Sequence, residues 1–374
     1  MRLAIISLNL HCNIGGILQA YALQTTLERM GNEAINVNNY DFKKLPTWKL
    51  CALFVKGFIR KVLRRRGASL ANYLEIKAKN PFVKKYLKIQ TPQDFDAIKQ
   101  GDFDGFVVGS DQVWRPNYFN RPSHPHNISN AYLAFSDGWA NTKRVAYAAS
   151  FGVSEWMYTP EDTRLCADAA KQFDAISVRE DSAVTLCEQH LGVHAQHVVD
   201  PTMLLTADDY CQLFHSDNTT FHGEPLFCYI LDQSKHKSNL VKHVARENSC
   251  NYSYISGGTN FLRPIRKETR FASIQQWLRC FNDAQFVITD SFHGTVFSII
   301  FNKPFVVLTN SGRGNARMES LLRMFNMSDR LITDHANPDL PAVNRLLHTP
   351  LSTSSRLAEL RSQGLEFLSH ALSN

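Results

Sequence analysis

The sequence predicts an α/β protein built from parallel strand–helix units in two domains, and three observations carry that prediction. Short apolar runs rich in β-branched residues recur along the chain, as in Phe286 to Thr289 and Phe103 to Val108, and each stops at a polar or glycine-bearing turn. Behind such turns the apolar residues change to helical spacing, as Val296, Ile299 and Ile300 do after Phe292-His293-Gly294. With 374 residues, 44% of them hydrophobic, the chain is long enough for two cores of ordinary size. The first domain is placed at 1–205, the second at 206–345, and a terminal helical segment at 346–374.

Arg2 to Leu8 reads as the opening strand, followed by the loop Asn13-Ile14-Gly15-Gly16 and a helix from Leu18 to Met30 closed by Gly31. This is the phosphate-loop position of a Rossmann-like unit. The spacing is not G-x-G-x-x-G and no P-loop lysine follows, so Asn13, Gly15, Gly16 and Gln19 are read as cleft-lining residues. Glu33 to Asn38 is a second strand, and a basic insert begins after it. From Lys43 to Lys88 the chain carries fourteen Lys or Arg and one acid, Glu75, so this segment holds +13 in a protein of net charge +7. Within it Leu50, Phe54, Phe58 and Val62 fall four apart beside a row of Lys56, Arg60 and Arg64. Such a helix either lies on an anionic membrane surface or packs its apolar row on its own domain with the charges solvated. So local a patch, with no zinc-finger or RNP motif, argues against a nucleic-acid partner.

Phe103 to Val108 delivers Gly109-Ser110-Asp111-Gln112, then Trp114-Arg115. Asp111, Gln112 and Trp114 are candidate sugar or phosphate contacts, with Asp111 equally suited to cap the next element. Arg144 to Ala149 ends at Ser150-Phe151-Gly152, a helix begins near Pro160, and Asp174 to Val178 delivers Arg179 and Glu180. Arg179 either clamps a carboxylate or phosphate or sits in a structural pair with Glu180 or Asp181. His197 to Val199 and Asp200-Pro201-Thr202 end the first domain. The second runs through strand Leu226 to Leu231, a helix around Leu240 to Glu247, strand Asn251 to Ile255 and helix Ile274 to Asn282. The stretch Phe286 to Leu308 then reads strand, turn, helix, turn, strand, and sets His293 at a strand-to-helix junction. Asp290 or Ser291 can cap that helix, and Gly294 lets an anion approach the backbone. His293 is either a packed turn histidine or an acid for an anionic substrate, since imidazole titrates near neutrality. The loop from Asn310 to Arg317 opens a helix, Met318 to Phe325, and offers Arg313, Asn315 and Arg317 to the same edge. A terminal helix runs from Thr353 to Leu372.

Four groups of motifs stand in order, each at the end of a strand-like run: NIGGILQAYALQ (Asn13 to Gln24), VVGSDQVW (Val107 to Trp114), AYAASFG (Ala146 to Gly152) with SVRE (Ser177 to Glu180), and TDSFHG (Thr289 to Gly294). Together they resemble the polysaccharide pyruvyl transferase family, from the first strand to about Leu322. The resemblance implies two Rossmann-like domains facing a cleft, similar to the B-type glycosyltransferase fold, in which a terminal helix often packs back on the first domain. It implies phosphoenolpyruvate as donor, a free or lipid-linked sugar diol as acceptor, and a place in cell-surface or exopolysaccharide biosynthesis. In that reaction His293 is the candidate acid and Arg179, with Arg317 or Arg313, the candidate anion clamp, beside Ser291, Gly294 and Asn315. No metal and no cofactor beyond the donor is expected. Part of the family carries an acidic pair where this chain has Gly16-Ile17, which leaves the acceptor base unassigned. Two alternatives stand beside this reading: a nucleotide-sugar glycosyltransferase on the same fold, and a non-catalytic carbohydrate- or membrane-surface-binding protein.

The amino terminus, MRLAIISLNL, fits an opening strand better than a signal peptide, and no apolar run approaches the roughly 18 residues of a membrane span. Eight scattered cysteines with no C-x-x-C pair point to reduced thiols. The expected location is cytoplasmic, peripheral at the inner face of the membrane if the basic insert docks there.

Overall fold

A computed structural model describes residues 1–11, 13–38, 49, 70–92, 94–119, 127–215, 221–255, 272–309, 315–333 and 337–373. Its strands are β1 (Arg2–Ile6), β2 (Glu33–Val37), β3 (Ile89–Gln90), β4 (Gly105–Val108), β5 (Lys143–Ala149), β6 (Ala175–Val178), β7 (Gln196–His197), β8 (Leu226–Tyr229), β9 (Tyr252–Ile255), β10 (Phe286–Thr289), β11 (Phe305–Leu308) and β12 (Leu331–Ile332). The first seven form one sheet in the order β3-β2-β1-β4-β5-β6-β7, and the other five a second in the order β12-β11-β10-β8-β9. Every pairing is parallel. Helices cover such sheets on both faces, and so the central strands β4, β10 and β11 are buried at every residue and read as unbroken apolar runs. Each sheet reverses its strand order once, between β1 and β4 and between β8 and β10. At such a reversal the connections diverge and open a crevice at the carboxyl ends of the strands.

The first helix runs Ile14–Arg29, four residues ahead of its expected start at Leu18, so Gly15 and Gly16 belong to its first turn and not to a loop. Glycine's weak helix propensity hides this start in the sequence. Ala148 in β5 has φ +52° at a register shift between Ala146 and Ala149. The Ser177 hydroxyl accepts from its N–H at 3.1 Å and donates to the Ala146 carbonyl at 3.0 Å, which satisfies the bulge and turns the strand end toward Glu180.

One apolar cluster runs continuously from Leu3 and Ile5 of β1 through Tyr210, Trp277 and Phe297 to Leu368 of the terminal helix, so the two sheets are held across a shared core. Helix Ser354–Ser373 returns to the first sheet. A side chain on Gly364 would strike the Tyr147 hydroxyl, and Arg361 donates to the Met203 and Leu205 carbonyls at 2.9 and 3.0 Å.

In the basic insert, the row Leu50, Phe54, Phe58 and Val62 with Lys56, Arg60 and Arg64 lies outside the described residues. The described helix Leu70–Tyr86 packs on the first domain, with Phe82 edge-on to Tyr21 at 5.6 Å. The Gln24 amide oxygen ties the region down, accepting from the Asn36 side chain and the Lys88 N–H, both at 2.9 Å. Six cysteines fall among the described residues and all are free thiols; burial pushes Cys187 and Cys280 up to about 12, so neither is a nucleophile at neutral pH. Among the described residues no helix is long and apolar enough to cross a membrane.

Candidate active site

The two reversal points face each other, and the side chains that meet between them come from strand ends. After β1, Asn13 heads the first helix without capping it; its amide instead donates to Asp111 Oδ2 at 3.0 Å. Asp111 follows β4 at φ +71°, a sparsely populated region for a non-glycine residue, and is buried. A Cβ on Gly16 would lie 3.2 Å from that same Oδ2, so glycine makes room for the carboxylate. β6 delivers Arg179, whose side chain is 1% exposed. Its Nη1 lies 2.7 Å from Asp200 Oδ2 and its Nη2 3.8 Å from Asp111 Oδ1. Neither pair weighed from the sequence forms. Glu180 accepts from the Ser150 hydroxyl and the Phe151 and Gly152 N–H groups at 3.0, 2.9 and 2.9 Å, and Asp181 pairs with Arg323 at 2.8 Å.

Asp200 is the hub of this half. Its Oδ2 accepts from Arg179 and from the Ser110 hydroxyl at 3.1 Å, and its Oδ1 from the Thr202 N–H and hydroxyl at 3.0 and 2.6 Å. Burial works to raise this carboxyl, but His293, Arg179 and Thr202 override it and hold it well below the usual carboxylate range.

The other half starts at β10. Ser291 caps helix Phe292–Ile300, its hydroxyl accepting from the Gly294 N–H at 3.3 Å. Asp290, the other cap candidate, instead accepts from the Leu231 and Asp232 N–H groups at 2.6 and 3.1 Å and from Lys237 Nζ at 2.7 Å. The cap fixes His293 in the first helical turn, buried, with Nε2 3.7 Å from Asp200 Oδ2, beyond hydrogen-bond reach. A Cβ on Gly15 would overlap the imidazole, so the first helix of the other domain lies directly against the ring. Beside it, Phe292 lies under two guanidiniums, Arg179 at 4.5 Å and Arg317 at 5.6 Å from its centroid. Burial, reinforced by the charge of Arg179, pushes Arg317 down to about 10, which leaves it cationic at neutral pH. Arg179 Nε and Nη2 are buried and donate no hydrogen bond among the described residues.

The site therefore brings together Asn13, Gly15, Gly16, Asp111, Arg179, His293 and Arg317 from the residues expected. Ser291 and Gly294 build the helix start that carries His293. Gln19 is buried and donates to the Gly16 carbonyl at 2.9 Å, and Gln112 accepts from Arg115 Nη1 at 2.7 Å. Asn315 heads helix Ala316–Met324, and Arg313 lies outside the described residues. Trp114 is corrected: it is fully buried, donates to the Ala131 carbonyl at 3.0 Å and stacks on Tyr132 at 4.7 Å, so it offers no face to a sugar. Sequence reasoning missed Asp200 and Phe292. Asp200 shows only as the cap of the short turn Pro201–Leu204, a task its Oδ1 performs while Oδ2 enters the site.

A family model described as polysaccharide pyruvyl transferase matches residues 13–312. A sequence search against curated proteins finds no match. Among solved structures, UDP-GlcNAc 2-epimerase from Neisseria meningitidis bound to UDP-GlcNAc is similar at 8% identity and TM-score 0.50, over 100% of this chain and 99% of that one. MnaA from S. aureus with UDP is similar at 12% identity and TM-score 0.52, over 100% and 96%. These likenesses show the fold: two Rossmann-like domains facing a cleft, of the B-type glycosyltransferase kind.

Proposed function

The chain belongs to the polysaccharide pyruvyl transferase family, and from that premise we propose that it transfers pyruvyl from phosphoenolpyruvate to a sugar diol as a cyclic ketal, in building a cell-surface or extracellular polysaccharide. The observation that carries this reading is a histidine from one domain set beside two buried arginines, Arg179 from the first domain and Arg317 from the second. Phosphoenolpyruvate carries a carboxylate and a phosphate, which guanidinium forks bind through paired N–H groups. Its enol carbon needs a proton before C2 becomes electrophilic. His293 delivers that proton to the methylene carbon, and C2 becomes an oxocarbenium-like centre. One acceptor hydroxyl adds to C2, its proton passing to the imidazole that has just given one up; the second displaces phosphate, and its proton leaves with the phosphate. The ketal thus keeps a methyl group whose third hydrogen came from the acid. Asn13, Gly15, Gly16 and Asp111 form the acceptor side.

Gly15 gives this reading a test from the domain that does not carry the acid. Gly15→Ala puts a methyl group where the imidazole stands, so the ring must move. A displacement near 1 Å at a reacting group costs about 10²-fold in turnover. Steady-state rates with an unchanged circular dichroism spectrum check it, and wild-type turnover would show that His293 needs no fixed position.

The assay for the activity itself is incubation with phosphoenolpyruvate and a panel of free and lipid-linked glycans. Phosphate release with a pyruvyl mass gain on one glycan supports the reading. Nucleoside diphosphate release from a nucleotide sugar supports glycosyl transfer instead, and neither product supports a binding protein. The +13 segment Lys43 to Lys88 supports docking at anionic membranes, where lipid-linked acceptors are assembled. Vesicle co-sedimentation is expected to need anionic lipid, to weaken with salt, and to drop when Arg60, Arg64, Arg65 and Arg66 become Gln. Equal pelleting of variant and wild type would remove the docking role.

A further inference from the structure

We propose that Asp200 is a positioning residue that holds the proton on His293 by charge alone, leaving Nε2–H without an acceptor among the described residues and therefore deliverable to the donor. This rests on the reading of His293 as the acid. A carboxylate offers about four acceptor sites. In Asp200 all four are occupied, Oδ1 by the N–H and hydroxyl of Thr202 and Oδ2 by Ser110 and Arg179. No site remains for the imidazole, and its Nε2 stands 3.7 Å away with no hydrogen bond among the described residues. At that distance, in a buried setting, the charge still acts. Asp200 is 1% exposed and His293 6%, so screening by solvent is weak.

The same anion faces a guanidinium and an imidazole. Arg179 donates a hydrogen bond to it at 2.7 Å and His293 meets only its field, while Arg179 Nε and Nη2 and His293 Nε2, all buried, make no hydrogen bond among the described residues. The other ionisable groups packed around the pair are Asp111, 3.8 Å from Arg179, Arg317 above Phe292, and the Tyr147 and Tyr210 hydroxyls on the Asp200 side. Burial keeps both tyrosines protonated, which leaves Asp200, Asp111 and Glu180, whose charge also acts on Arg317, as the anions around the site. Of these, Asp200 is the one within ion-pair distance of His293.

The test uses the full chain and two variants. Asp200→Asn keeps the shape and removes the charge; Ser110→Ala keeps the charge and frees an acceptor site on Oδ2. Histidine-labelled NMR, with the His293 signal identified by its loss in His293→Gln, follows the ring in the unliganded protein. The signal is expected to titrate at lower pH in Asp200→Asn, by about one unit or more, and at higher pH in Ser110→Ala. The alkaline limb of the kcat profile with phosphoenolpyruvate is expected to move the same way, and kcat in Asp200→Asn to fall about 10²-fold. A merely structural role would lower stability in both variants and leave the titrations alone. Should Asp200→Asn not fold, Ser110→Ala decides, and a His293 titration coincident with wild type in either folded variant overturns the proposal. If the titrations shift as expected while wild type releases no phosphate from phosphoenolpyruvate, the charge coupling stands and the reaction reading falls.

Discussion

His293→Ala is expected to keep the fold and to lose pyruvyl transfer by about 10²-fold or more, the usual size of a general-acid contribution. The fold should survive because the four hydrogen bonds on Asp200 do not involve the imidazole, and the Ser291 cap and the apolar face of helix Phe292–Ile300 are untouched. What goes is the proposed proton source at the domain junction. Thermal melts establish the fold and phosphate release establishes the rate. A well-folded variant turning over like wild type would return His293 to a packing role.

Arg179→Ala is expected to do two kinds of damage at once. It removes the proposed clamp, whose Nε and Nη2 are buried without a hydrogen bond among the described residues, and it leaves Asp200 without the guanidinium that shares its charge. Breaking one side of a buried ion pair costs about 3–5 kcal/mol. Both side chains are at most 1% exposed, so little of that is screened away. Arg179→Lys separates the two effects. A lysine can restore the charge beside Asp200 and recover much of the stability, but it has no planar fork to replace Nε and Nη2, so donor affinity should stay low. Calorimetric titration with phosphoenolpyruvate beside denaturant melts reads both quantities. Full affinity in the lysine variant would mean that the donor does not use the fork.

The architecture is legible because parallel sheets bury both faces, and runs such as FVIT at β10 show as unbroken apolar segments bounded by turns. Arg179 is legible for a related reason, as the first side chain beyond a strand end, and His293 as the histidine of the helical turn that follows β10. What escapes is everything set by contact between distant segments. Gly15 and Gly16 read as a loop because glycine disfavours helix, and only the approach of His293 and Asp111 explains why glycine stands in a helical turn. Asp200 reads only as part of the end of the first domain; one of its oxygens caps a turn, while the other meets residues 21 and 93 positions away. Phe292 and Trp114 are both aromatics beside polar motifs. One became a platform for two cations and the other a core residue with a satisfied N–H, and nothing in their local spacing separates the two fates.

The most direct test of the central claim follows the proton. Wild-type protein incubated in D₂O with phosphoenolpyruvate and a competent acceptor is predicted to give a cyclic ketal whose methyl group carries one deuterium, delivered to the methylene carbon, with phosphate released in equal amount. His293→Ala should give the same product far more slowly. A ketal with an undeuterated methyl group, or turnover of a nucleotide sugar with phosphoenolpyruvate left intact, would contradict acid-initiated pyruvyl transfer at this site.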